Sequence, residues 1–174
     1  LCVFVVCTSK LVPGARQLNS LSINECSLLG TVKRQFYIYV PTGYIASRAV
    51  PVIFSFHGQG VSPPLQVSDP DTPHFDELAE QKGFVMVYPV GLGDGNCGVG
   101  WNVISQQNQT YNGTCVAEAW TTGQTCCYDS CRKLGKCKSD GQAKYCGWST
   151  CHDDVLFVRK LLGEVHKLIN VEVG

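Results

Sequence analysis

PVIFSFHGQG, residues 51–60, runs from an apolar stretch directly into a Gly-rich turn. Val52, Ile53, Phe54 and Phe56 are apolar on both parities, with Ser55 between them. That pattern suits a strand covered on both faces, as in a parallel sheet flanked by helices. His57-Gly58-Gln59-Gly60 then puts small residues where the chain leaves the carboxyl end of the strand. Open α/β sheets place their ligands at that edge. A Gly on each side of Gln59 lets the backbone turn sharply and aim an N–H at a substrate. An oxyanion site needs this geometry, with donors fixed before charge develops on the reacting oxygen. The same tetrapeptide also reads as a strand-end histidine followed by an ordinary turn.

Working outward, KRQFYIYVP at 33–41 alternates Phe36, Ile38 and Val40 with Tyr37 and Tyr39, which predicts a strand near a sheet edge. PTGYIASRA at 41–49 is turn chemistry, and residues 61–73 form a Pro- and Asp-rich loop. HFDELAEQKG at 74–83 sets Phe75, Leu78 and Ala79 at helical spacing and stops at Lys82-Gly83. GFVMVYP at 83–89 is a second continuous apolar run, so strand, helix and strand make a βαβ unit with a right-handed crossover. From Gly91 to Thr150 no periodicity is visible, and a loop of that length is normally functional or stapled. CHDDVLFVRKLLGEVHKLIN at 151–170 carries an apolar stripe of Val155, Val158, Leu161, Leu162, Val165, Leu168 and Ile169. Asp153 and Asp154 sit where a cap and a first-turn acid complement the helix dipole, and His166 falls on the surface. The fold class is therefore α/β, a mostly parallel sheet flanked by helices, with a long Cys-rich insert at about 91–150.

The 174 residues suit one globular domain, 44% hydrophobic and 16% charged. Fourteen Lys plus Arg balance fourteen Asp plus Glu, so no global field recruits nucleic acid or an anionic membrane. No apolar run reaches the length of a membrane span. LCVFVVCTS, residues 1–9, is apolar but short, lacks an initiator Met and leads into Pro13-Gly14-Ala15. It reads as the remnant of a secretory signal over residues 1–17, with the domain at 18–174; the other reading is a buried strand. Two sequons, at Asn108 and Asn112, agree with export.

Eight cysteines crowd the insert: Cys97, Cys115, Cys126, Cys127, Cys131, Cys137, Cys146 and Cys151. In a secreted chain they are expected as disulfides, of unassignable connectivity, which leaves Cys26 odd. A zinc cluster using Cys126, Cys127, Cys131, Cys137, Cys146, Cys151 and His152 is the rival, but no paired C-x2-C knuckles occur. The reading therefore includes no metal and no cofactor.

The edge strand ending in YVP, PVIFSFHGQG, LAEQKGFVMVYPVGLG, Trp101-Asn102, the Cys-rich insert and DDVLFVRKLL occur in an order that resembles secreted α/β-hydrolases. The particular group is that of feruloyl esterases and polyhydroxybutyrate depolymerases. The resemblance runs from about Arg34 to the end of the chain. It implies that Gln59 and Gly58 supply backbone N–H groups to the oxyanion hole, and that Trp101 lines the active-site mouth or anchors a buried loop. It implies an ester substrate, polymeric, a plant-wall polysaccharide ester or else a polyhydroxyalkanoate. The departures are as informative. Such a protein continues to a G-x-S-x-G elbow, an acid and a His, in that order. Ser149 lies in Gly147-Trp-Ser-Thr-Cys151, inside the insert and before the helix, and so fails as the elbow. His74, His152 and His166 also precede any place for it. No catalytic triad member is therefore assigned within the chain. The nucleophile, acid and His are expected beyond Gly174, and the 174-residue piece is expected to be inactive and prone to aggregate. A second class remains: an inactive, disulfide-rich secreted carbohydrate-binding module that stacks sugars on Trp101, Trp120 and Trp148.

Overall fold

A computed structural model of the protein describes residues 11–25, 29–58, 60, 74–93, 98–102, 128–134 and 150–172. The described elements are β1 (Arg16–Asn24), β2 (Thr31–Tyr39), β3 (Val52–Phe54), α1 (Phe75–Lys82), β4 (Val85–Pro89), β5 (Leu92–Gly93), β6 (Val99–Gly100), α2 (Asp129–Lys133) and α3 (Asp154–Leu168). Four strands form one sheet in the order β1-β2-β4-β3, and β5 pairs with β6 apart from it.

The unit β3-α1-β4 is parallel, with Ile53 opposite Met86, as the alternation of apolar run, helix and apolar run predicts. The sheet as described is nonetheless mixed, not mostly parallel: β1 runs antiparallel to β2, and β2 antiparallel to β4. For β1 and β2 a short connection is the cause. The Glu25 N–H bonds to the Gly30 carbonyl at 3.0 Å, and so brief a link can only fold a strand back on its neighbour. β1 escapes a pattern search because its sequence, RQLNSLSIN, is mostly polar and buries only Ile23 fully. It takes in Arg16 and Gln17, which fall within the leader expected over residues 1–17. It also occupies the edge expected of β2, so β2 becomes an inner strand whose Arg34, Phe36 and Ile38 are all 0% exposed. β3, expected to be covered on both faces, is the outer strand of the described sheet, and its Ile53 is 42% exposed.

Strand parity sorts the core into two faces. Phe36, Ile38, Val85 and Val87 point toward α3, where they meet Phe157, Leu161, Val165 and Ile169. Tyr39, Met86 and Tyr88 point the other way and pack with Ala79 of α1 and with Phe84. Each fully buried aliphatic or aromatic side chain of this kind is worth roughly 1.5–3 kcal/mol. The buried face of α3 is turned from the predicted stripe: Phe157 is inside, Leu162 is exposed, and Val155 and Val158 are only half-buried.

Both long helices end as their sequences dictate. Gly83 takes φ 76° and donates its N–H to the Ala79 carbonyl, closing α1. The Asp153 side chain accepts from the Leu156 N–H at 2.8 Å, capping α3. Asp153→Ala is expected to cost about 1 kcal/mol of stability, read as a lower urea midpoint at unchanged m. Past α3 the chain returns to the sheet. Val171 bridges Val50 in parallel, with Val50 N–H to Asn170 O at 3.1 Å and Glu172 N–H to Val50 O at 3.0 Å.

The insert is not wholly irregular, since it holds the β5-β6 hairpin and α2. Two-residue strands are too short to show a period. Cys131 and Cys151 are each disulfide-bonded. Their Sγ atoms lie 3.2 Å apart, in contact but not bonded to one another. Cys97, Cys115, Cys126, Cys127, Cys137, Cys146, Asn108, Asn112, Trp120, Trp148 and Ser149 lie outside the described residues.

Candidate active site

The chain leaves β3 with the Ser55 N–H still bonded to the Val87 carbonyl, at 2.9 Å, and then turns at His57. His57 is only 3% exposed. Its Nδ1 lies 2.7 Å from the Gly58 carbonyl, and its Nε2 lies 2.8 Å from the Gly91 N. A carbonyl can only accept and an N–H can only donate, so this imidazole is neutral, with its proton on Nδ1. The ring joins the turn after β3 to the loop after β4. Gly91 is required for that approach: a Cβ there would stand 2.6 Å from the Gly100 carbonyl and 3.1 Å from the His57 ring. The β5-β6 hairpin presses on the same turn, through Gly60 N–H to Val99 O at 2.9 Å.

Trp101 closes the arrangement. Its Nε1–H donates to the His57 carbonyl at 2.9 Å, and its ring centroid lies 4.9 Å from that of His57. Phe56 meets it edge-on at 5.4 Å, and Phe157 stacks with it at 6.4 Å and 12°. Beneath lies Arg34, 0% exposed, with its guanidinium 4.0 Å over the Phe157 ring. Arg34 pairs with Asp154, whose other oxygen accepts the Asn102 N–H. Burial pushes the Asp154 carboxyl upward in pKa, while the Arg34 charge and the Asn102 N–H oppose that shift. Asp154 thus does more than complement the helix dipole: it anchors Trp101-Asn102, the pair that holds the turn.

The backbone of the turn is fixed by its carbonyls. The described chain has no cis peptide, and in a trans peptide the carbonyl and the following N–H point in opposite directions. With the His57 carbonyl held by Trp101, the Gly58 N–H points away from the indole. It has no hydrogen-bond partner among the described residues, Gly58 is exposed, and no described residue beyond its chain neighbours lies within 4 Å of where its Cβ would be. Of the predicted site residues, Gly58 and Trp101 meet here, and Gln59 lies outside the described residues. His57 as a clamp, Gly91, and the Arg34-Asp154 support were not predicted. Arg34 did leave a signal, because it shares the inward parity of Phe36 and Ile38.

Burial lowers the His57 pKa from its usual 6.5, with the Gly58 carbonyl and the Asp154 charge opposing. The unfolded chain takes up this proton as pH falls through 6.5 and the folded chain does not. The stabilisation is therefore complete above that value and declines below it, at up to about 1.4 kcal/mol per pH unit, until the lowered folded pKa is reached. Urea midpoints from pH 8 to 5 are expected to show this acid-side slope in the parent protein, and a shallower one in His57→Gln.

Among the described residues, no three His, Cys, Asp or Glu side chains are grouped to hold a metal, and no helix is long and apolar enough to cross a membrane. No family model matches the chain. It is 35% identical over 79 residues to the "Probable acetylxylan esterase A" of Aspergillus terreus (strain NIH 2624 / FGSC A1156), which is 44% of this chain and 23% of that protein. It is 32% identical over 96 residues to the acetylxylan esterase A of Aspergillus oryzae (strain ATCC 42149 / RIB 40), 52% of this chain and 29% of that one. The matched stretches thus span 23% and 29% of these curated relatives. A solved ferulic acid esterase aligns with 90% of this chain and 45% of its own, at 13% identity and a TM-score of 0.41.

Proposed function

We propose that the chain is part of a secreted carboxylic-ester hydrolase acting on plant polysaccharide esters, with acetyl groups on xylan as the leading substrate. The observation that carries the reading is the turn at His57-Gly58. Its carbonyls are bound at the carboxyl end of a parallel strand, while the N–H of the exposed Gly58 has no hydrogen-bond partner among the described residues. The similarity to acetylxylan esterases favours the acetyl ester over the feruloyl ester and the polyester that the resemblance first implies. In the reaction, a Ser hydroxyl attacks the ester carbonyl while a His takes its proton. The carbonyl electron pair moves onto the oxygen, which the N–H groups of Gly58 and Gln59 receive. Collapse expels the sugar alcohol with that proton, and water then releases acetate from the acyl-enzyme. The Ser would follow the point where the chain returns to the sheet, at the Val171 bridge to Val50.

Trp101 argues against the sugar-binding alternative, because its N–H is spent on the His57 carbonyl and its ring is packed between Phe56 and Phe157. Export belongs to the same proposal. Peptide mapping without reduction is expected to find the insert's cysteines oxidised, with the adjacent Cys126 and Cys127 in different bridges, since a ring between neighbours is strained. Free thiols across the insert, or bound zinc, would count against it. The functional test is product release by the natural full-length protein. Acetate from acetylated xylan in excess of ferulate from feruloylated arabinoxylan supports the reading, and release of neither overturns it.

A further inference from the structure

His57 and Trp101 each make a contact that a merely space-filling residue would not. Trp101 Nε1–H holds the His57 carbonyl at 2.9 Å, and His57 Nδ1–H holds the Gly58 carbonyl at 2.7 Å. The peptide plane between His57 and Gly58 is thereby pinned by its carbonyl, which directs the Gly58 N–H on its far side, and the Gly58 carbonyl is pinned in turn. The Gly91 N–H, at 2.8 Å on Nε2, fixes the imidazole tautomer and so makes Nδ1 the donor. Nearly complete burial of the His57 ring limits the access of water to its two bonds.

We infer that His57 and Trp101 are positioning residues which set the direction of the turn's N–H donors, and through it the rate of ester cleavage. The inference rests on the ester-hydrolase reading and assigns neither side chain a contact with substrate. An N–H donor is effective only when aimed at the place the oxyanion will occupy, and a displacement of about 1 Å can cost on the order of a hundredfold in rate. Loosening the pins weakens binding of the charged tetrahedral state more than that of the neutral ester. The loss therefore falls on kcat and not on KM.

The experiment uses the full-length protein with p-nitrophenyl acetate and its thionoacetate analogue, in which sulfur replaces the carbonyl oxygen. A tight N–H pocket favours the oxygen ester, so the oxygen-to-sulfur preference reports the pocket and not the general health of the fold. Trp101→Phe keeps an aromatic ring and loses the N–H; it is expected to lower kcat by roughly tenfold with KM changed by less than about twofold. His57→Leu removes both ring bonds and is expected to cost roughly a hundredfold. His57→Asn, with an amide donor near the Nδ1 position, recovers part of that loss. The oxygen-to-sulfur preference falls in the same order. Folded variants with parental kcat, or with lowered kcat and an unchanged preference, overturn the positioning role while leaving the esterase reading standing. A parent protein that hydrolyses neither ester overturns both.

Discussion

In the full-length protein, Gln59→Pro is expected to lower ester turnover by roughly a hundredfold or more, the usual cost of losing one oxyanion donor. Proline removes the N–H and leaves the carbonyl of the preceding residue in place. That carbonyl is the one His57 already holds at 2.7 Å. Gly58 is exposed and has no Cβ, so the restriction that proline puts on the residue before it is easily met here. Gln59→Ala keeps the N–H and is expected to retain most of the activity, which separates the backbone donor from any use of the amide side chain. A folded Gln59→Pro protein with parental turnover would show that the donor lies elsewhere.

The second large effect is on stability. Arg34→Met is expected to cost about 3–5 kcal/mol, because it leaves the Asp154 carboxylate buried without its counter-charge. The guanidinium is wholly buried on the Phe157 ring, and among the described residues its Nε and Nη1 have no hydrogen-bond partner. The pair therefore rests chiefly on the Asp154 contact, with the Asn102 N–H on the second carboxylate oxygen. Replacing both charges, in Arg34→Met with Asp154→Leu, is expected to recover much of the loss, since an apolar pair of similar volume carries no desolvation cost. Chemical denaturation of the parent, the single variants and the double variant gives the coupling directly. If the two single changes simply add, the pair is not the support of Trp101-Asn102 described above.

What could be read in the sequence was whatever had a period or a stop. The alternation in 36–40 gave β2, the run 83–89 gave β4, and Lys82-Gly83 gave the end of α1. β1 was hidden because an outer strand with one face in water needs few apolar residues, and Leu18 is in fact exposed. An apolar run implies cover, yet in the described sheet β3 is the outer strand, with Ile53 exposed on it and Phe56 exposed just past its end. At the candidate site, the small residues of the turn were visible as composition. The contacts that fix them join His57 to Gly91, Trp101 to His57 and Arg34 to Asp154, and they span 34, 44 and 120 residues. No local pattern encodes such pairs.

Covalent labelling decides whether the His57-Gly58 turn serves a serine ester hydrolase, as proposed. The natural full-length protein is treated with diethyl p-nitrophenyl phosphate, and the adduct is located by mass spectrometry beside a parallel assay on acetylated xylan. One phosphoryl group per chain is expected, on a serine of a G-x-S-x-G turn beyond the Val171 bridge to Val50, with acetate release lost in proportion to labelling. Acetate release that persists in the fully labelled protein, or a protein that neither takes the label nor releases acetate, would contradict it.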